Sequence, residues 1–298
     1  MIAGAAFLLF MGMAAPALAD DPVPARAIPA PRGLPRSVPS GANYNELIAY
    51  AIDSPRDLAA LQQQARDVAA QRNATLTEIS TLAVLTDRPS IVRDRLEREA
   101  LVLSARPTTT ATALANVSVV EPEFVDQMRA LRAQLPQQYD ALQTQADALA
   151  PFATLQAATT PWHSPAQGRL TQPFGPTSLR LEPARTWGGR YYAHFHEGID
   201  IAAPMYSPVV ADAPGRVAFA GHIADGAMVV LIAHLGGLVS LYAHLDDQIA
   251  PPRVATGDIV QSGQIIGSIG MTGLTTGPHL HYAVWRDGEL IDPLSLFR

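Results

Sequence analysis

HEGIDIAAP, residues 196–204, and HLHYAVW, residues 279–285, carry the reading of this chain. In the first, Gly198, the β-branched Ile199 and Ile201 and the closing Pro204 favour extended backbone over helix, so His196 and Asp200 are expected on one strand face. In the second, His279 and His281 stand two apart, the spacing that puts both side chains on one face of a strand. Between them, GLVSLYAHL (residues 237–245) alternates Val239, Leu241, Ala243 and Leu245 with Ser240, Tyr242 and His244. That pattern assigns the apolar set to an inner face and His244 to a polar one. Three extended segments thus offer imidazoles and one carboxylate to a single cleft.

Those residue types describe an open metal site. A catalytic zinc takes about three protein ligands from His, Asp or Glu and keeps a further position for water. His196, Asp200 and one histidine of the HLH pair meet that count, leaving two imidazoles for proton transfer and for stabilising a developing oxyanion, which implies a hydrolase. A structural zinc site would be closed by four ligands rich in Cys, and the chain has no cysteine. The HExxH zinc motif is not met, because the position of its second histidine holds Asp200, and alternation aims Glu197 away from the ligands. His163, His222 and His234 are expected to make ordinary hydrogen bonds. His194, two before His196, could share its face and touch substrate or support a ligand.

With these residues the chain resembles the LytM or lysostaphin-type zinc metallopeptidases, which cut peptide bonds in bacterial peptidoglycan. The resemblance runs from about Gly168 to the C-terminus and includes TQPFG, PVVADAPGRVAFAG, GDIVQSGQIIGSIGMTG and TTGPHLHY in the family's order. It implies one zinc ion held by His196, Asp200 and His281, with His244 and His279 as catalytic residues beside the scissile carbonyl. The implied substrate is peptidoglycan stem peptides or their cross-links, by analogy those joining D-alanine to a diamino acid. Two departures stand out. Ala283 occupies the position after HLHY where the family usually carries a carboxylate or amide, and the arginine that follows FG in the family is delayed to Arg180. The stretch SLRLEPARTWGGRYYAHF then offers Arg180, Arg185, Trp187, Tyr191 and Tyr192 as a rim that grips substrate.

The rest of the chain sets the context. Its 298 residues are 48% hydrophobic with a formal net charge of -6, which suits about two domains. No basic cluster or aromatic-basic interleaving points to nucleic acid. Absence of cysteine excludes disulfides, thiol catalysis and a lipoprotein anchor. Residues 1–19 form an apolar run ending in Ala17-Leu18-Ala19, a secretory cleavage pattern, so export to the periplasm is expected. The run lacks a basic start, which leaves an upstream initiator or persistence as a membrane tether as the other readings. Residues 20–42 are a Pro-rich linker.

Residues 43–150 turn to helical periodicity. Ser54 with Pro55 reads as an N-cap with Pro at the first helical position, ahead of the stripe Leu58, Leu61, Ala65 and Val68. A second stripe is Val92, Leu96, Ala100 and Leu103. A third runs from Phe124, Met128, Leu131 and Leu135 to Pro136 and resumes with Tyr139, Leu142, Ala146 and Leu149. PTTTATALANVSVV is a polar spacer, and Pro89, Pro122 and Pro136 are expected to divide the region into short helices. Residues 151–167 are a linker and 168–298 the LytM-type domain. The expected class is α+β: an α-helical, coiled-coil-like region followed by an antiparallel β peptidase domain. The helices keep a second function in view, since EnvC- and NlpD-like murein-hydrolase activators join such a region to a domain without zinc ligands. They would also serve a division or wall-synthesis partner. Their stripes would be buried either at the cleft mouth, restraining the enzyme, or in a helical hairpin.

Overall fold

The computed structural model describes residues 42–87, 122–157 and 162–297. The expected signal peptide, nearly all of the Pro-rich linker, the Val92 to Leu103 stripe and the polar spacer lie outside the described residues. Helix α1 is Tyr44–Asp87 and helix α2 is Pro122–Ala153. The described residues fall into two compact units, one within Asp67–Asp147 and one that joins residues up to Arg66 to Ala148–Arg298.

The helices differ from the sequence expectation at two prolines. Helix α1 starts at a capping box, in which the Glu46 N–H donates to Asn43 Oδ1 at 3.0 Å and the Asn43 N–H to Glu46 Oε2 at 3.0 Å. It then runs straight through Pro55, so Ser54 is not the N-cap. Proline in a helix interior costs about 3 kcal/mol. Leu47, Leu58 and Leu61 lie on both sides of it and are at most 7% exposed. Their burial, at about 1.5–3 kcal/mol each, outweighs that cost. Helix α2 likewise continues through Pro136, with Leu135, Leu142 and Leu149 all buried. Among the described residues of this region, two long helices stand where short ones divided at Pro136 were expected.

In the first unit the two helices lie antiparallel. Arg72 Nη1 donates to Gln143 Oε1 at 3.3 Å, and Arg132 Nη1 donates to Thr86 Oγ1 at 2.8 Å and pairs with Asp87. No helix among the described residues is long and apolar enough to cross a membrane.

In the second unit, β1 (Arg169–Gln172), β2 (Gly175–Pro176), β3 (Arg185–Trp187), β4 (Arg190–Tyr192) and β5 (Phe195–His196) lead to β6 (Ile199–Ala202) and β7 (Pro208–Val210). The long strands follow: β8 (Gly215–His222), β9 (Met228–Ala233) and β10 (Leu238–Ala243), then the short β11 (Ile259–Val260) and β12 (Ile265–Ser268), β13 (His279–Arg286) and β14 (Glu289–Ile291). The main sheet runs β1-β6-β13-β10-β9-β8-β11 with β14 beside β13, and its pairings are antiparallel. The α+β class is therefore observed directly.

Both faces of this sheet are covered. One packs Val230, Ile232, Tyr242, Leu280, Tyr282 and Val284; the other packs Val229, Leu231, Val239, Leu241, Ala283 and Trp285. Strands buried on both sides read as continuous apolar runs, as MVVLIA does in β9. The alternation in β10 therefore does not separate core from solvent. Ser240 and Tyr242, assigned to the polar face, are wholly buried.

Candidate metal centre

Strand register assembles the site. In the β6 and β13 ladder Asp200 lies directly opposite His281 and Ala202 opposite His279, and residues directly opposite share a face. His196 arrives separately, from β5, which pairs with β2 outside the main sheet. The chain turns between them at Gly198, where a Cβ would run into the Tyr282 carbonyl and come within 3.0 Å of the His281 ring. His196 and Asp200 thus meet across a break between two strands rather than along one.

The result is a tight triangle. His196 Nε2 lies 3.1 Å from His281 Nδ1 and 3.1 Å from Asp200 Oδ1, and His281 Nδ1 lies 3.0 Å from Asp200 Oδ1. His196 is 1% exposed, while Asp200 and His281 are partly open. His196 Nδ1 lies 3.1 Å from the Pro173 carbonyl. A carbonyl can only accept, so this nitrogen holds the proton and Nε2 turns a lone pair to the centre. Two imidazole nitrogens and a carboxylate oxygen converging from three backbone segments form a donor set that fits zinc.

The electrostatics agree. Burial pushes the Asp200 carboxyl up, but its contacts with His196 and His281 outweigh that and hold it well below the usual carboxylate range. Burial pulls His196 down, and the contact and charge of Asp200 overcome it and raise its pKa. The first direction keeps Asp200 anionic, and the second shows that this anion favours positive charge beside it, the condition a divalent cation needs.

His244 reaches the site by leaving its strand. On β10, Ala243 lies opposite His281, so continued alternation would send His244 to the far face with Tyr242. Instead His244 adopts a left-handed backbone with φ 63°, which turns its ring back toward the centre. The ring sits 4.8 Å from that of His279 and 6.1 Å from that of His281, centroid to centroid. His244 Nδ1 donates to the Thr272 carbonyl at 2.8 Å and His279 Nδ1 to the Gly277 carbonyl at 2.8 Å. Each leaves Nε2 as a bare acceptor, and that of His279 lies 3.7 Å from Asp200 Oδ1. Burial, reinforced by His281, lowers the His244 pKa to about 4, so this ring is neutral near pH 7.

Residues 194–293, which contain all five of these side chains, match Peptidase family M23. This part of the chain is an M23 peptidase domain. Similar proteins include the DD-carboxypeptidase/endopeptidase Mpg of Neisseria meningitidis, 39% identical over 43% of this chain and 27% of that protein. The peptidoglycan DD-endopeptidase ShyC of Vibrio cholerae is 36% identical over 43% of this chain and 27% of its own length. The murein hydrolase activator NlpD of Escherichia coli is 30% identical over 45% of this chain and 30% of its own length. The chain spans less than a third of each of these relatives.

Around the centre of the M23 domain, the expected rim residues divide. Tyr191 is 67% exposed and Trp187 39%, at the hairpin of β3 and β4. Trp187 also packs on Phe174 and Phe195, and Tyr192 on Phe195, so these rings brace the strand that holds His196. Arg185 pairs with Glu197, which is not among the groups at the centre. His194 Nδ1 bonds the Glu182 carbonyl at 2.9 Å and is not among the groups at the centre. His222 pairs with Asp247, and His234 is buried between the Pro214 carbonyl and Ser240. Ala283 is fully buried, and backbone carbonyls orient the His196, His244 and His279 rings. These carbonyls, of Pro173, Thr272 and Gly277, went unread because a carbonyl carries no residue signature. Gly198 could have been found, since a glycine between two candidate ligands signals close backbone approach.

Proposed function

We propose that this chain is an exported zinc metalloendopeptidase that hydrolyses peptide bonds of peptidoglycan stem peptides or cross-links. The observation that carries the reading is the convergence of three metal-type donors beside two imidazoles whose acceptor nitrogens are oriented by backbone carbonyls. The M23 domain and the DD-endopeptidases similar to it support a peptidoglycan substrate, and the apolar residues 1–19 support export.

His196 Nε2, Asp200 Oδ1 and His281 Nδ1 would hold zinc, which when bound polarises a carbonyl and makes hydroxide accessible at neutral pH. Asp200 keeps its negative charge at working pH, so the site holds a net positive charge of only about one with a divalent ion. One of His244 Nε2 and His279 Nε2 would accept the proton released by the attacking water, the other lying beside the developing oxyanion. Once protonated, an imidazole at this position donates to the developing oxyanion or to the leaving amine. The Thr272 and Gly277 carbonyls hold both rings in the tautomer that this exchange requires.

The similarity to NlpD favours a second reading, in which the domain activates separate murein amidases through the helices. The retained donor triangle supports the peptidase reading, since a purely activating domain has no use for it. Digestion of purified muropeptides with and without zinc decides: zinc-dependent release of cleaved peptides supports the peptidase, whereas silence together with stimulation of an added amidase supports the activator.

A further inference from the structure

His196 differs from the other metal-type donors in how it is held. Asp200 and His281 sit within the ladder of the main sheet, but β5 is two residues long and pairs only with the two-residue β2. Packing must supply what the ladder does not. Phe195, beside His196, is 0% exposed, with the rings of Phe174, Trp187 and Tyr192 within 5.2 to 5.7 Å of it, centroid to centroid.

The remaining cover comes from far away in sequence. Leu47, Ile48 and Ala51 of α1 belong to the same apolar cluster as Phe195, Val229, Leu231 and Trp285, and Leu47 is 0% exposed. Tyr44 packs its ring at a tilt against that of Trp285, 6.2 Å between centroids. Its hydroxyl is buried beside Glu197 and Arg185. The Ala224 N–H donates to the Ala42 carbonyl at 3.2 Å, which ties the start of the helix to the sheet domain. This face is also the one that carries His281, because His281, Ala283 and Trp285 alternate along β13.

We propose that Leu47, on the first turns of α1, is a positioning residue for the metal centre: it presses Phe195 into place and so fixes the His196 imidazole against Asp200 and His281. The proposal rests on the zinc reading above. It makes the start of α1 part of the M23 domain's working structure, although the helix supplies none of the three donors. A looser Phe195 lets the His196 ring leave the triangle and weakens metal binding, the effect that groups outside the ligand set have on metal sites.

The test uses the full chain and reads zinc affinity by chelator competition, with the visible absorption of the cobalt-loaded protein as a second readout. Leu47→Ala and the milder Leu47→Val are compared with Leu58→Ala, a position on the same helix that is equally buried but outside the Phe195 cluster. Measurements are made where circular dichroism shows every variant folded, and Leu47→Val carries the test if Leu47→Ala does not fold. The expected result is a loss of zinc affinity of about 10-fold or more for Leu47→Ala, a smaller loss for Leu47→Val and none for Leu58→Ala, with a shifted cobalt spectrum in the Leu47 variants only. Unchanged affinity in the Leu47 variants, or an equal loss in Leu58→Ala, overturns the proposal while leaving the zinc reading intact. A wild-type chain that binds no zinc overturns both.

Discussion

The sheet of the M23 domain carries histidine and aspartate on both of its faces, and the two constellations have opposite characters. On one face Asp200 meets His196, His279 and His281. On the other, Asp212 is buried with Ser240, His234, Tyr242 and Tyr282. The second set is matched donor to acceptor. The Tyr282 hydroxyl donates to Asp212, the Asp212 N–H donates to the Tyr242 hydroxyl at 3.0 Å, and the two His234 nitrogens meet the Pro214 carbonyl and Ser240. The first set instead aims acceptors at a common point and remains partly open. Polar saturation marks structure, whereas convergent acceptors mark a site for something that is not protein.

The comparison breaks most visibly if the triangle is not a metal site. His281→Ala and Asp200→Ala each remove one of three protein donors, so bound zinc should fall from about one ion per chain to a small fraction, and activity with it. Unchanged zinc content by elemental analysis in both variants would remove the assignment. His244→Ala and His279→Ala should retain zinc but lose about 10²–10⁴-fold in turnover, the usual contribution of a positioned proton-transfer group. Near-normal turnover in either one would return that histidine to a structural role.

The opposite face should respond in stability and not in metal content. Tyr242→Phe strips the buried Asp212 N–H of its acceptor, which should cost about 1–3 kcal/mol in urea unfolding with zinc unchanged. The same network predicts an alkaline limit. Burial, then the charge of Asp212, raises the pKa of Tyr242 well above its usual value, and burial does the same for Tyr282. Phenols raised in the folded state leave stability intact below a pH of about 10 and erode it as pH rises from there, because only the unfolded chain ionises them freely. Phenolate absorbance should accordingly appear in two phases, the late one coincident with unfolding. A single phase with the protein still folded would contradict the burial.

The smallest effect is expected where a His–Asp pair is merely on the surface. His222 and Asp247 lie 2.9 Å apart, but the His222 side chain is 48% exposed. His222→Ala should change stability by less than about 1 kcal/mol and leave zinc and turnover alone. A larger loss would show that this pair is not equivalent to ordinary solvated ones.

What the sequence determined by itself is what local chemistry can carry. The HxxxD and HxH spacings, the absence of cysteine and the shift from helical to extended periodicity named a metal-type donor set in a β domain, because ligand identity and strand period are properties of neighbouring residues. The tertiary structure decided everything that depends on residues meeting across the chain. The register of β6 against β13 sets His281 rather than His279 beside Asp200, and a left-handed backbone at His244 reverses the face that alternation predicts. Carbonyls of Pro173, Thr272 and Gly277, chemically identical to every other carbonyl in the chain, become orienting groups only through their place in the fold. The prolines at 55 and 136 end no helix, because the leucines around them are buried and that burial outweighs a broken backbone hydrogen bond. Local rules hold until long-range burial, worth more per residue, overrules them.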